Sequence, residues 1–430
     1  MNLSNIKWVI NLNIEISTYD VLYKLLKKEP YLNCLQSMHE SNVARLRKKQ
    51  KISISFQISC LSEWIGDELV YKFLRDERFD VKVIIVWQIN TDYQEEMSQL
   101  QDHFSKTDIP YCFADGTVHP GDFDIVFYTS PYLFALQNWG EEDIPLTTLV
   151  CYIPYGFMVA GIQNMQFNLL MHNIVWKHYI HTDIYRILAD KYCDIGQYGM
   201  VLAGYSKLDD LYVHDIGKQA NWKIYGTDKQ VKKIIYAPHH SINEIPYHST
   251  FFMNYKYLLE YAKKHKETTS WVFKPHPLLR VSVVRNGIFK STDEFDAYCK
   301  EWDNLPNGRY VTGEYMSWFA SSDCMIFDSL SFMAEYLYVD KPSLFLTREA
   351  VHLNEFGMEI LQILYQVRGD DYSGIKKFIE YTSRYDAKKS VRRKFFSKYL
   401  DYYKNNKNKT AAEYIYEDIK HDLGLLVDRG

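Results

Sequence analysis

The sequence predicts an α/β protein of two Rossmann-like domains whose parallel sheets face a central cleft, followed by a helical C-terminal tail. Two observations carry this. Short apolar, β-branched runs alternate with helix-period segments in two successive series, which is the pattern of mostly parallel sheets. A polar, irregular stretch over 204–230 separates the two series. A chain of 430 residues with 47% hydrophobic content can also fill two ordinary cores, since domains run ~100–200 residues.

Residues 1–50 read as a polar, helical N-terminal segment that closes on a basic run, RLRKKQK at 45–51. The first domain is expected over 51–205. There KISISFQIS (51–59) alternates like a strand, 63–75 has helical spacing, and VKVIIVW (81–87) is a second apolar run, so that the three form a βαβ unit. A helix over 93–104 follows, then strands at 111–113, 125–128, 148–153 and 177–181, a helix over 183–192, and a last strand at 200–203. Residues 206–230 are expected to be the linker. The second domain, 231–373, repeats the alternation, with strands at 233–236, 271–273, 309–311, 324–327 and 343–346 and helices at 254–264, 292–302, 315–320 and 332–338. Residues 374–430 form the helical tail, most basic over 388–399 (KKSVRRKFFSKY).

A net charge of −4 gives no global attraction to polyanions, so nucleic acid is not an expected partner. The 7 cysteines stand at 34, 60, 112, 151, 193, 299 and 324 with no C-x-x-C pair, which suggests neither a zinc site nor a disulfide framework. A reducing cytoplasm fits this best. No apolar stretch reaches the roughly 18 residues of a membrane span. The basic, aromatic segment 388–399 reads either as peripheral contact with an anionic membrane face or as a solvated helix.

Ligands of open parallel sheets bind beyond the carboxyl ends of the strands. Three such ends carry chemistry. At 234–240 (IIYAPHH) the proline takes the chain out of the sheet and presents His239 and His240 at the rim, as acid–base groups or as an ordinary exposed turn. At 273–277 (FKPHP) both Lys274 and His276 precede a proline, and the stiffened segment would project a cation and an imidazole. That imidazole could act as general base or stabilise phosphate charge. At 324–338 an apolar strand ends in Asp328-Ser329-Leu330-Ser331 and enters a helix, whose first amides and hydroxyls could hold a diphosphate. Leu330, Met333 and Leu337 would bury one face of that helix and leave Glu335 on another, to bind ribose hydroxyls or to favour the helix dipole. Asp209-Asp210 and Asp370-Asp371 have no third ligand at a recognisable spacing and read as turn or surface carboxylates, so no metal is expected. Neither G-x-G-x-x-G nor a P-loop occurs, which argues against a dinucleotide oxidoreductase or an NTPase.

In the order of these strand ends the chain resembles the CDP-glycerol glycerophosphotransferase family, the teichoic-acid and capsule polymerases and primases of GT-B fold. Gly204-Tyr205-Ser206-Lys207-Leu208-Asp209 is similar to the family's Gly-x-Pro-x-x-Asp, and Tyr236-Ala237-Pro238 and Lys274-Pro275-His276-Pro277 follow. Asp328-Ser329-Leu330-Ser331, Glu335 and Lys341-Pro342 then match Asp-Tyr-Ser-Ser, an acidic residue and Lys-Pro. The likeness spans roughly 145–365. It implies transfer of a polyol phosphate from a CDP-activated donor to a hydroxyl of a surface glycan or lipid-linked acceptor, with CMP released and no permanently bound cofactor. His276 would lie near the donor diphosphate, Ser329 and Ser331 on it, and Glu335 on the nucleotide side. Lys274, His240 and Asp328 join the donor-binding candidates, and His239 and Tyr155 join His276 as catalytic candidates. Where the family carries Trp-His-Gly-Thr, this chain reads Tyr152-Ile153-Pro154-Tyr155-Gly156, so the first-domain histidine is absent. Two other activities fit the same residues: a GT-B glycosyltransferase using an NDP-sugar, and a non-catalytic nucleotide- or glycan-binding subunit.

Overall fold

The computed structural model describes residues 17–26, 28–86, 93–131, 143–213, 222, 231–348 and 351–425. They divide into two compact units, one bounded as Met1–Tyr155, Asn164–Asp209 and Tyr402–Gly430, the other as Gly156–Gln163 and Asp210–Asp401.

The first unit is built on seven parallel strands: β1 Ile52–Ile58, β2 Phe79–Ile85, β3 Tyr111–Phe113, β4 Ile125–Tyr128, β5 Leu149–Tyr152, β6 Lys177–Ile180 and β7 Met200–Leu202. Their spatial order is β3-β2-β1-β4-β5-β6-β7, so the direction of winding reverses between β1 and β4. On one face Ile54, Phe56 and Ile58 pack with Phe73, Phe79 and Phe127, and the Phe56 and Phe127 rings stack at 4.6 Å. On the other, Val126, Tyr128, Val150 and Tyr152 pack with Tyr19, Leu22, Tyr31 and Leu35 from the helices Tyr19–Leu25 and Lys28–Leu46. The expected separate N-terminal segment is therefore, in its described part, a layer of this core. Its polar composition hides a few long apolar side chains that are enough to cover the sheet. Residues 1–16 and Trp87 lie outside the described residues.

The expected single tail also divides. Its last helix, Ala411–Asp422, buries Ala412, Ile415 and Ile419 in the first unit, whereas the helix Lys389–Tyr399 belongs to the second. The motif at 204–209 fastens this final segment. Gly204 has φ +89, and a Cβ on it would stand 2.0 Å from Cγ of Tyr402, so only glycine fits. The Tyr402 hydroxyl donates to the Tyr205 carbonyl (3.0 Å) and to Asp209 (2.7 Å). Asp209 also accepts the N–H groups of Ala411 (2.8 Å) and Ala412 (2.9 Å) at the start of the last helix. Asp209 is thus a buried helix cap and not the turn or surface carboxylate expected.

The second unit carries six parallel strands: β8 Lys232–Ala237, β9 Thr269–Phe273, β10 Gly308–Tyr310, β11 Cys324–Phe327, β12 Ser343–Thr347 and β13 Tyr365–Arg368. The order β10-β9-β8-β11-β12-β13 reverses between β8 and β11. Its core gathers Phe251, Trp271, Phe273, Phe295, Tyr298 and Trp302. β13, outside the expected series, is a half-exposed edge strand, and its outward Gln366 and Arg368 mask it in the sequence. Among the described residues no helix is long and apolar enough to cross a membrane.

Candidate functional site

Because β9, β8 and β11 are neighbours, residues 274–277, 238–240 and 328–331 leave the second sheet side by side, at the point where its winding reverses. Open α/β sheets bind ligands at such a switch point. The backbone holds the first two segments in register past the strands, with Lys274 N–H donating to the Tyr236 carbonyl and His276 N–H to that of Pro238, both at 2.9 Å.

Three imidazoles meet there. The ring centroids of His240 and His276 are 4.2 Å apart, those of His239 and His240 4.3 Å, and those of His239 and His276 5.1 Å. One ring nitrogen from each lies within 4.8 Å of one from the others, a spacing that a metal ion could also use. The bonds on the rings favour another role. His276 Nδ1 accepts the N–H of Leu278 (3.1 Å) and His239 Nδ1 accepts that of Ser241 (3.2 Å), so in both neutral rings the proton sits on Nε2. A ligating imidazole normally donates its second nitrogen's proton to an acceptor, which is the opposite arrangement. Burial holds all three rings uncharged: it pushes His239 and His276 well below the usual range, helped by the neighbouring imidazoles, and takes His240 down to about 4. The cluster is therefore a set of neutral N–H donors, and its His240 Nδ1 is buried without a hydrogen-bond partner.

The third strand end is more structural than its sequence suggested. Asp328 is 1% exposed, and its carboxylate accepts from the N–H of His239, the N–H of Thr250 (2.5 Å) and the Thr250 hydroxyl (2.8 Å). It anchors the histidine loop instead of facing a ligand. Ser329 likewise gives its hydroxyl proton to the Ala237 carbonyl (3.0 Å). Ser331 makes no capping bond to its helix. Gly156 approaches it so closely that a Cβ there would lie 3.2 Å from Ser331 Cβ. The helix itself is short, Phe332–Glu335 continuing as a 3-10 turn Tyr336–Val339, and is buried from Phe332 through Leu337. Glu335 is consequently not on a free face: it is 1% exposed and accepts from the Tyr315 hydroxyl at 2.5 Å. Lys274 Nζ lies 5.3 Å from the centroid of the same Tyr315 ring, in the range of a cation–π contact.

Tyr315, past the end of β10, and Arg348, past the end of β12, escaped the sequence reading. Arg348 donates to the Ile242 carbonyl within the histidine loop. Position relative to a strand end was the available signal for both, without any motif to single them out. Lys341 donates to the Phe319 (3.1 Å) and Ala320 (2.5 Å) carbonyls and so closes the helix Met316–Ser321. Tyr155 belongs to the first unit, where its N–H donates to the Thr129 carbonyl (2.9 Å) and its own carbonyl accepts from Tyr205. In the basic segment 388–399, Arg392 is buried between Asp340 (2.9 Å) and Asp386 (2.7 Å), Lys388 Nζ binds the Gln362 and Leu364 carbonyls, and Phe395 packs on Phe356. Lys389, Ser390, Val391, Arg393, Lys394, Ser397 and Lys398 are its exposed part.

A sequence model of the family described as CDP-Glycerol:Poly(glycerophosphate) glycerophosphotransferase matches residues 175–421. No curated protein matches the chain. Among solved structures, the wall teichoic acid polymerase TagF aligns with a TM-score of 0.55 at 11% identity, over 90% of this chain and 94% of that one. MnaA of S. aureus, in a structure with UDP, aligns with a TM-score of 0.51 at 14% identity, over 88% of this chain and 99% of that one. A UDP-N-acetylglucosamine 2-epimerase aligns at 0.52 and 13%, over 89% and 98%. At such identities the shared property is the fold, two parallel-sheet α/β units of GT-B type.

Proposed function

We infer the reaction from one premise: the chain belongs to the CDP-Glycerol:Poly(glycerophosphate) glycerophosphotransferase family. It is a transferase that uses a nucleotide-activated donor. The donor we propose is CDP-glycerol, and the acceptor a hydroxyl of a growing poly(glycerophosphate) chain or a lipid-linked surface glycan. An acceptor oxygen attacks the glycerol-bearing phosphorus, and CMP departs.

The observation that carries the site assignment is the triad of neutral imidazoles at the switch point. His239 and His276 donate through Nε2–H to diphosphate oxygens, and His240 and the Lys274 ammonium complete the set with Ser331. Fixed donors aimed at charge that grows on the leaving phosphate lower the barrier because nothing need reorganise when the bond breaks. Asp328 and Ser329 act one layer back, by holding the histidine loop and the end of β8. Glu335 orients Tyr315 beside Lys274. Tyr155 is proposed as an acceptor-side contact. The exposed cations Lys389, Arg393, Lys394 and Lys398 are the part of 388–399 proposed for peripheral contact with an anionic membrane.

Titration calorimetry with CDP-glycerol tests this site. His276→Ala is expected to weaken binding by at least ~10-fold, the cost of about 1.4 kcal/mol for a lost hydrogen bond to a charged group. Unchanged affinity in a folded His276→Ala variant would refute the assignment.

A further inference from the structure

The loop that joins β8 to the helix Phe251–Lys264 carries a fourth buried imidazole, which the donor site described above does not use. His248 is 3% exposed, and its Nε2 stands 3.0 Å from the carbonyl oxygen of His352. A carbonyl can only accept, so this nitrogen carries the ring's proton and donates it. The bond ties the histidine loop to the segment that follows β12. That acceptor is itself fixed from a second side. Residues 156–163 belong to the second unit, where Gly161 N–H donates to the same His352 carbonyl (2.8 Å) and Ala160 forms an antiparallel bridge with Leu353. Asn354 donates its N–H to the Val159 carbonyl (2.9 Å) and its Nδ2 to that of Met158 (2.9 Å), while its Oδ1 accepts the Gly357 N–H (2.9 Å) and caps the helix Glu355–Ile363. The His352 carbonyl is therefore a firm anchor for the histidine loop.

Two hydrogen bonds lead from His248 to the site. Its main-chain N–H donates to Ser241 Oγ (3.0 Å), and Ser241 Oγ lies 2.8 Å from Nδ1 of His239. That Nδ1 also accepts the Ser241 N–H (3.2 Å), so it is the bare nitrogen, and the Ser241 hydroxyl gives its proton to it. The order is thus His248 N–H to Ser241 O–H to His239 Nδ1, each bond polarising the next. Ser249 N–H donates to the Ser241 carbonyl (3.1 Å) and keeps the two sides of the loop paired. Which nitrogen of an imidazole carries the proton is set by the bond that the other one makes. With Nδ1 held as an acceptor, the His239 proton stays on Nε2. Burial, with His352 and Arg348 close by, takes His248 down to about 4 against the pull of its bond to the His352 carbonyl, so the ring is neutral in neutral solution and the order of donors is fixed.

We propose that His248 is a positioning residue of the donor site: clamped to the His352 carbonyl, it holds His239, through Ser241, in the tautomer that offers Nε2–H to the diphosphate. With the proton on Nδ1 instead, Nε2 would turn a lone pair toward phosphate oxygens and repel them. Free in water, a neutral imidazole exchanges between both forms. The relay removes that choice before the donor arrives, which is the pre-organisation that fixed donors need. The inference deepens the donor reading given above and rests on it for the identity of the ligand.

The test combines two readouts on the full chain. Proton–nitrogen correlation spectra of protein with isotope-labelled histidines report the tautomer of each ring, with His239→Gln to identify the His239 signal, and calorimetry with CDP-glycerol reports donor affinity. Wild-type His239 should carry its proton on Nε2. His248→Phe keeps a ring of similar size without an N–H; it should mix the His239 tautomers and weaken donor binding roughly 10-fold. Ser241→Ala should do the same. His248→Gln restores an N–H for the His352 carbonyl, and should recover the tautomer and bring affinity to within about 3-fold of wild type. A merely structural His248 would lower the thermal midpoint and leave both readouts of the folded variants unchanged. A folded His248→Phe with the wild-type His239 tautomer, or with mixed tautomers and unchanged affinity, overturns the inference. Should His248→Phe not fold, a wild-type tautomer in Ser241→Ala overturns it equally. If the wild type does not bind CDP-glycerol, the donor reading falls, and the tautomer spectra alone uphold or overturn the hold of His248 on His239.

Discussion

Gly204→Ala tests the rigid knot that fastens the last helix to the first unit. An alanine at φ +89 carries the left-handed penalty of about 1–2 kcal/mol. Its Cβ would also stand 2.0 Å from Tyr402 Cγ, so the ring has to leave a site where it is 2% exposed. Losing that burial costs about 2–3 kcal/mol. The two hydroxyl bonds go with it, and a buried Asp209 deprived of one donor adds about 1–3 kcal/mol. The total is about 4–8 kcal/mol, a large share of the ~5–15 kcal/mol by which folded domains are stable. Equilibrium urea unfolding, followed by circular dichroism, reads the loss. In a Tyr402→Ala background the clash is gone, and the same substitution should cost only the backbone penalty of about 1–2 kcal/mol. An equal cost in both backgrounds, or one below ~1 kcal/mol in the wild type, would refute the reasoning.

Asp328→Ala leaves three buried donors of the histidine loop unsatisfied and should cost about 3–6 kcal/mol in the same assay, with Asp328→Asn in between; a loss under ~1 kcal/mol would mean that Asp328 is not an anchor. Glu63, 8% exposed beyond β1 with its carboxylate on the Ser59 hydroxyl, makes stability depend on pH with a definite sign. Its folded value of about 7 lies above the reference 4.5, so folding takes up a proton within that window and the group's contribution is lost as pH rises through it. Relative to wild type, Glu63→Gln should therefore gain in urea midpoint on going from pH 5 to pH 8, and a relative loss would contradict the raised carboxyl.

The strands were legible because a parallel strand buried on both faces is a short apolar run with turn residues at its ends, as 234–240 and 271–277 are. The same locality made the histidines readable: prolines 238, 275 and 277 mark where the chain leaves the sheet. What was illegible depends on distant partners. Asp209 caps a helix that begins 202 residues later, and no local pattern distinguishes it from a surface turn. Glu335 was placed on a free helix face from its period, but Tyr315 arrives from another strand end and buries it. His248 carries no motif, and only the fold, which brings the His352 carbonyl to it, shows that it anchors the histidine loop. The basic tail is half legible for the opposite reason: its charge is visible, whereas Asp340 and Asp386, which pair with Arg392, are brought in by the fold.

The central claim is transfer of glycerol phosphate from a CDP-linked donor at the β8–β9–β11 ends. The most direct measurement is the nucleotide released when the purified protein meets CDP-glycerol, CDP-ribitol, UDP-sugars and CMP-sugars in turn, each with a poly(glycerophosphate) acceptor. The account predicts acceptor-dependent CMP from CDP-glycerol, abolished in His276→Ala. UDP released from a UDP-sugar, with no CMP from either CDP-polyol, would contradict it.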